Sequence, residues 1–293
     1  MTKQVFKNIA VDLGLFYSAA IWGSTFFIVK DTLNFISPTL LVGYRFTLAA
    51  LILAIYLIIK RRNLFTNIKQ GLFMGLFLWL LYITQTIGLK ITSASNSGFI
   101  TGLFVAFVPI FSFMLYRKKP SYFGFSAVAL SLAGLWLISG GLKELNTGDI
   151  LTLAAAMSYA IHILLADRYL KGGTNPYVLC FQQFAFVGIL SLFLGIFDSS
   201  SLIPHDNSAI WIIVFLAIFP TLSAFVIQLL AQRFVSPLRV SLIFAFEPVF
   251  AALFAWTIGG EVFRPERALG GLLIFIAMVV SGLERPEKSR GYT

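Results

Sequence analysis

Ten stretches of this chain run for about the thickness of a bilayer with almost no charge in them. They cover residues 13–29, 38–59, 71–89, 95–116, 122–139, 150–166, 176–197, 209–231, 238–258 and 268–283. A hydrocarbon core about 30 Å thick is spanned by roughly 17–25 helical residues. No water reaches a backbone there, so each run must satisfy its own hydrogen bonds as a helix. Arg45 and Glu247 interrupt the second and ninth runs, and His162 sits in the sixth. The last run has only 16 residues and needs its flanks to cross. Apolar residues make up 58% of the chain and charged residues 12%, too little charge to cover a soluble surface. The loops between runs are mostly short, so successive helices are expected to be antiparallel neighbours.

The net charge of +10 is distributed by topology. Of the 22 Lys and Arg, 16 fall at the two ends of the chain or in the loops after even-numbered runs. Lys60-Arg61-Arg62, Arg117-Lys118-Lys119, Arg168, Lys171, Arg233 and Arg239 are among them. Only Lys30, Lys90, Lys143, Arg264 and Arg267 lie on the opposite side. Basic loops stay in the cytoplasm, so both termini are expected there, in a multi-pass protein of the inner (plasma) membrane. A missed helix would invert every later loop and destroy this bias. The basic clusters therefore read as topology signals and lipid-headgroup contacts, and no nucleic-acid partner is expected. The first run lacks a small-residue cleavage site after Val29, so it reads as a retained helix and not a signal peptide.

The chain also repeats. With an offset of 137, Asp12 meets Asp149, Ala19 meets Ala156 and Trp22 meets Tyr159. Pro38 precedes Arg45 by seven residues, as Pro176 precedes Gln183, and Val108-Pro109 resembles Glu247-Pro248. Five runs fall in each half, residues 1–143 and 144–293. An odd number of spans turns the second copy upside down, which predicts an all-α membrane fold of ten helices. They form two inverted five-helix repeats around a central cavity, one integrated membrane domain.

Several local elements are ordered along nearly the whole chain. They are Ile21-Trp22-Gly23-Ser24, Ser37-Pro38-Thr39, Tyr44-Arg45-Phe46, Thr92-Ser93-Ala94-Ser95-Asn96, Phe246-Glu247-Pro248-Val249 and Gly260-Glu261. Together they resemble the drug/metabolite transporter superfamily in its ten-helix EamA-type branch. That resemblance implies a carrier, commonly an exporter of amino acids or other small metabolites. It also implies that helices one, three, four, six, eight and nine enclose the cavity while five and ten buttress it.

Glu247 lies nine residues into its run, about 14 Å deep at 1.5 Å per residue. An ionised carboxylate facing lipid at that depth costs several kcal/mol, so the side chain is expected to face the bundle interior. It can bind a proton or the positive group of a substrate, or it can stabilise the helix that Pro248 kinks. Arg45, about 10 Å inside its helix, can snorkel, hold a substrate carboxylate or pair with Glu247. His162 is a second candidate for proton coupling, or a neutral packing residue. Trp22, Trp79, Tyr82 and Tyr159 lie deep in their runs, with Gln85 one turn from Tyr82, and would wall a site for an amphipathic or cationic guest. Asn96, Gln228 and Gln182 are uncharged polar groups that can line the cavity or bond across helices.

The reading is a secondary transporter that exports small metabolites, such as amino acids or amphipathic and cationic compounds, by alternating access. Its partners are a small-molecule substrate, protons as the candidate coupling ion, and membrane lipids. The unit is a monomer or a weak homodimer. Import or facilitative exchange of the same solutes is the alternative, ahead of a channel or a membrane-embedded enzyme. The chain carries no Gly-rich nucleotide loop and no paired catalytic carboxylates in its runs. Its single Cys, Cys180, excludes a thiolate metal site, so no cofactor or metal is expected. A reporter fused after Thr293 is expected to be active only as a cytoplasmic reporter. A periplasmic signal there would mean that the span count is off by an odd number.

Overall fold

The computed structural model describes residues 3–117, 122–138, 146–198, 207–235 and 237–282. The basic residues Lys118, Lys119, Lys143, Arg285, Lys288 and Arg290, and the last residues of the fifth and tenth runs, lie outside them. Every element among the described residues is helical. In chain order they are α1 (Lys3–Thr32), α2 (Pro38–Ile59), α3 (Ile68–Leu89), α4 (Ala94–Gly102), α5 (Phe104–Tyr116), α6 (Tyr122–Ile138), α7 (Thr147–Lys171) and α8 (Pro176–Gly195). Then follow α9 (Asn207–Leu216), a π-helical turn (Ala217–Ser223), α10 (Ala224–Gln232), α11 (Pro237–Phe244), α12 (Glu247–Thr257) and α13 (Pro265–Gly282). Among the described residues, seven helical stretches are long and apolar enough to cross a membrane, including Ala94–Leu115 through the α4/α5 junction and Ala209–Gln232 through the π turn. The remaining apolar runs of the sequence correspond to α6, to α11 with α12, and to α13.

Local chemistry sets the helix starts. Ser37 and Asn175 cap α2 and α8 with their side-chain oxygens, and each is followed by a proline in the first helical position. Ser93 caps α4 through the Asn96 amide. Asn146 and Asp149 form a reciprocal capping box at the start of α7.

Two of the interior interruptions follow prolines. Pro220 has no N–H to offer the Leu216 carbonyl one turn back. The next residue covers that loss: Thr221 Oγ1 donates to the Leu216 oxygen at 2.7 Å, and the backbone widens into the π turn. In the ninth run the sequence predicts one kinked helix. The chain instead stops at Phe244 and restarts at Glu247, with Pro248 in the first turn of the new helix. Proline is tolerated at a helix start and not in its middle, so the break falls just ahead of it.

Packing pairs the two halves of the chain. α2 lies along α8, α3 along α7, α6 along α13, and α4 against α12, while α1 packs on α10 and α12. The connections meet at two ends. At one, Arg239 and Asp12 form an ion pair, Gln182 Nε2 donates to the Leu64 and Thr66 carbonyls, and Thr174 donates to Gln70. At the other, Lys30 Nζ donates to the Leu89 and Thr92 carbonyls, Glu261 accepts from the Ala94 and Ser95 amides, and Thr92 donates to Asp149. This grouping of loops is what antiparallel alternation of the runs requires.

Large apolar side chains such as Leu13, Ile59, Ile189 and Phe197 face outward, where a soluble fold would place polar groups. Inside, Phe46, Phe104, Phe184, Phe225 and Phe244 are fully buried. Small residues let the helices approach closely. At the α3–α7 crossing a methyl group on Gly88 would lie 2.7 Å from the Gly148 carbonyl oxygen and 2.9 Å from Thr152 Oγ1. Gly88→Ala is therefore expected to destabilise the protein by about 1–3 kcal/mol through forced separation of backbones. A lowered melting temperature in detergent checks this; an unchanged one would mean that the crossing can slide.

Candidate functional site

α1, α3 and α7 bring three of the sequence's aromatic candidates to one place. Trp22, Tyr82 and Tyr159 line a cavity together with Gln85, Arg45 and Glu247. Thr25, Thr101 and Phe225 complete its middle. The cavity volume is about 30 Å³, room for water and not for a metabolite. The lining comes from the first, third, fourth, sixth, eighth and ninth runs, as the family resemblance implied, and α2 joins them through Arg45. α6 and α13 contribute nothing to it and pack on each other.

The wall is an aromatic network. The Trp22 ring lies 5.0 Å from those of Phe225 and Phe244 and 6.2 Å from that of Tyr159. Trp22 Nε1 donates to the Pro220 carbonyl at 2.6 Å, so the π turn orients the indole. Tyr159 meets Phe104 with tilted rings at 4.6 Å, and Tyr82 meets Phe46 edge to face at 4.7 Å. Gln85 Nε2 donates to Thr101 Oγ1 at 3.0 Å, which ties α3 to α4.

A basic and an acidic side chain sit in this wall. Arg45 is 3% exposed, so it does not snorkel. Its Nε donates to Thr221 Oγ1 at 2.9 Å, and its guanidinium lies 4.9 Å from the Tyr82 ring centroid and 5.5 Å from that of Phe46. Glu247 is 5% exposed, and its Oε2 accepts no hydrogen bond. It occupies the first turn of α12, where the helix dipole favours negative charge. The direct Arg45–Glu247 pair that the sequence allowed is not formed: among the described residues neither has an ion-pair partner within 4.0 Å.

The other candidates lie elsewhere. His162 is fully buried, and its Nε2 shares a 2.7 Å hydrogen bond with Gln183 Oε1. Gln228 bonds Gln232, which donates to the Ile163 carbonyl. Asn96 is buried near the start of α4 with Oδ1 unbonded, and Trp79 is half-buried with Nε1 unbonded. None of these four lines the cavity. Thr221, Thr101 and Phe225 went unnoticed in the sequence. The one usable signal is Pro220, which frees the Leu216 carbonyl and so calls for a neighbouring hydroxyl. No three His, Cys, Asp or Glu side chains gather as a metal site among the described residues.

A multi-pass helical membrane protein with a charged, aromatic-walled cavity at its centre has the form of a small-molecule carrier. The chain belongs to the EamA-like transporter family, which matches residues 9–140 and again 146–283. It is a membrane transporter and not an enzyme. A transporter of Archaeoglobus fulgidus is 32% identical over 94% of this chain and 87% of its own length. A transporter of Bacillus subtilis, YoaV, is 24% identical over 91% and 94%. The S-adenosylmethionine/S-adenosylhomocysteine transporter of Chlamydia muridarum is 26% identical over 92% and 88%. A protein of known crystal structure shares the fold at a TM-score of 0.69 and 19% identity, covering 94% of this chain and 96% of its own.

The two indoles separate orientation from simple bulk. Trp22→Phe removes the indole donor to the Pro220 carbonyl and is expected to cost about 1–2 kcal/mol of stability. Trp79→Phe removes a donor that bonds nothing and is expected to be neutral or stabilising. Thermal melts of the two variants in detergent check the contrast, and equal losses would refute it.

Proposed function

We propose that the chain is a secondary transporter for small zwitterionic or cationic amphipathic metabolites, amino acids among them. It exports them by alternating access about this cavity. One chain forms the unit, ten helices in two inverted repeats, residues 1–143 and 144–293, with both termini in the cytoplasm and the body in the inner membrane. The observation that carries the substrate class is the Arg45–Glu247 arrangement. A buried cation and a buried carboxylate share one cavity, come from different halves of the chain, and leave each other unpaired. Isolated charges at such depth are costly. A guest bearing a carboxylate for Arg45 and an ammonium for Glu247 would compensate both, while Trp22, Tyr82 and Tyr159 offer π faces to its cationic or aromatic part.

Two further observations support the reading. Exchanging each of the first five runs for its mate five places on leaves the helix pairings unchanged: α2 with α8, α4 with α12 and α6 with α13 map onto themselves, and α3 with α7 maps onto α10 with α1. The family matches each half of the chain separately. The Chlamydia relative's named compounds carry a carboxylate, an ammonium and an aromatic base, the same three features that this wall complements. The cavity is too small to hold such a guest as it stands, so substrate binding requires the helices to part, as alternating access demands.

Transport into proteoliposomes tests the assignment. Arg45→Gln is expected to weaken transport of an amino acid roughly 10–100-fold and to spare the amine that lacks its carboxylate. Glu247→Gln is expected to weaken both and to remove any dependence on a pH gradient, since the amide cannot carry a proton. Full transport, still pH-dependent, in the Glu247→Gln protein would leave Glu247 as a helix-start residue. Equal loss of amino acid and amine in Arg45→Gln would assign Arg45 to packing.

A further inference from the structure

A second hollow lies on the outer face of the bundle and has no part in the central cavity. α2 contributes Ile52, Leu53 and Tyr56 to it, α8 contributes Tyr177, and Leu222 and Val226 flank the start of α10. It holds about 270 Å³ behind aliphatic and aromatic walls. The hydroxyl of its lining Ser223 is occupied by Tyr17 at 2.8 Å and the Phe219 carbonyl at 2.6 Å. The slot arises because α2 packs on the π turn but hardly on α10 beyond it, so the two helices part toward the basic end of the molecule.

That end carries charge in register with the slot. On α2, Ile52 and Tyr56 lie four residues apart on one face, and Lys60, four residues further, is the residue that caps the helix end. Arg233, which caps the end of α10 with helical backbone angles, follows Val226 by seven residues, about two turns on along the same face. Lys60 and Arg233 are both exposed, and Arg61 and Arg62 follow directly. An apolar slot open to the bilayer thus ends beneath a rim of cations. We propose that it binds one acyl chain of an anionic phospholipid, with the headgroup held at the rim by Lys60 and Arg233. The charge complementarity selects this occupant: a neutral lipid would fill the slot and leave the rim unused. The assignment rests on burial and charge alone and stands apart from the substrate class proposed for the cavity.

The occupant would touch the transport site through one wall. Leu222 and Ser223 face the slot, while Pro220 and Thr221, in the same turn, hold Trp22 and Arg45 on the cavity side. A chain seated in the slot therefore braces the turn that positions both.

Native mass spectrometry of the purified full chain tests this, with phosphatidylglycerol and phosphatidylcholine of identical acyl chains as probes. One phosphatidylglycerol per chain is expected to be retained more tightly than phosphatidylcholine. Lys60→Gln and Arg233→Gln are each expected to lower its affinity roughly 5-fold and to leave phosphatidylcholine unaffected. Val226→Trp fills the slot and should expel both lipids. Ile52→Phe, a smaller filler, gives the same readout if the tryptophan variant does not fold. Equal retention of the two lipids, or no effect of the charge variants, would overturn the headgroup assignment. Undiminished retention in a folded filler variant would overturn the slot, and a dimer lost on filling it would give the face to a second copy of the chain.

Discussion

A carbonyl released by proline within a bilayer has no water to turn to, and the architecture of this protein depends on how that debt is met. At Pro220 the Thr221 hydroxyl takes over the Leu216 carbonyl, and the backbone swells into a π turn. The same hydroxyl then accepts from Arg45 Nε, and the Pro220 carbonyl accepts from Trp22 Nε1. One helix defect therefore fixes a buried cation and an indole at the centre of the molecule. At Pro248 the helix breaks instead of bulging, and the restart places Glu247 at the positive end of a half-helix. Both charged groups of the cavity are thus seated by the chain's response to a proline.

The cavity balances two demands. Its charges need polar surroundings, and its position demands apolar packing. Aromatic rings meet both: Tyr82 and Phe46 present π faces to the Arg45 guanidinium while their edges pack among neighbouring rings. The result is a wall of rings that carries a basic side chain from the first half of the chain, Arg45, and an acidic one from the second, Glu247.

Much of this was legible in the sequence because lipid imposes a simple rule. Uninterrupted apolar runs marked the helices, and Ser37-Pro38 and Asn175-Pro176 marked two of their starts. Depth and chemistry single out Trp22, Tyr82, Gln85, Tyr159 and Glu247, and the fold brings all five to one cavity. Depth alone did not suffice elsewhere. Trp79 and Tyr82 are three residues apart and about 60° from eclipsed on a helix, and the cavity is narrow enough to admit only one. His162 and Gln228 were recognisable as buried polar groups, but their partners, Gln183 and Gln232, are set by packing between α7, α8 and α10. The repeat does not extend to local surroundings: Arg45 lines the cavity, while its counterpart Gln183 bonds His162. Breaks within runs were the least readable feature, because composition fixes that a segment is helical and not where its hydrogen bonds skip.

The π turn has a consequence for phase. An α-helix advances 100° per residue, and a widened turn absorbs about one residue more than a regular one. Every side chain of α10 is thereby rotated by about 100° relative to a straight continuation of α9. The angular order that brings Phe225 to the cavity and Val226 to the lipid-facing slot is a property of that single surplus residue. Deleting one position between residues 217 and 223 would leave composition and hydropathy almost untouched, yet it would turn the inner face of α10 toward the bilayer.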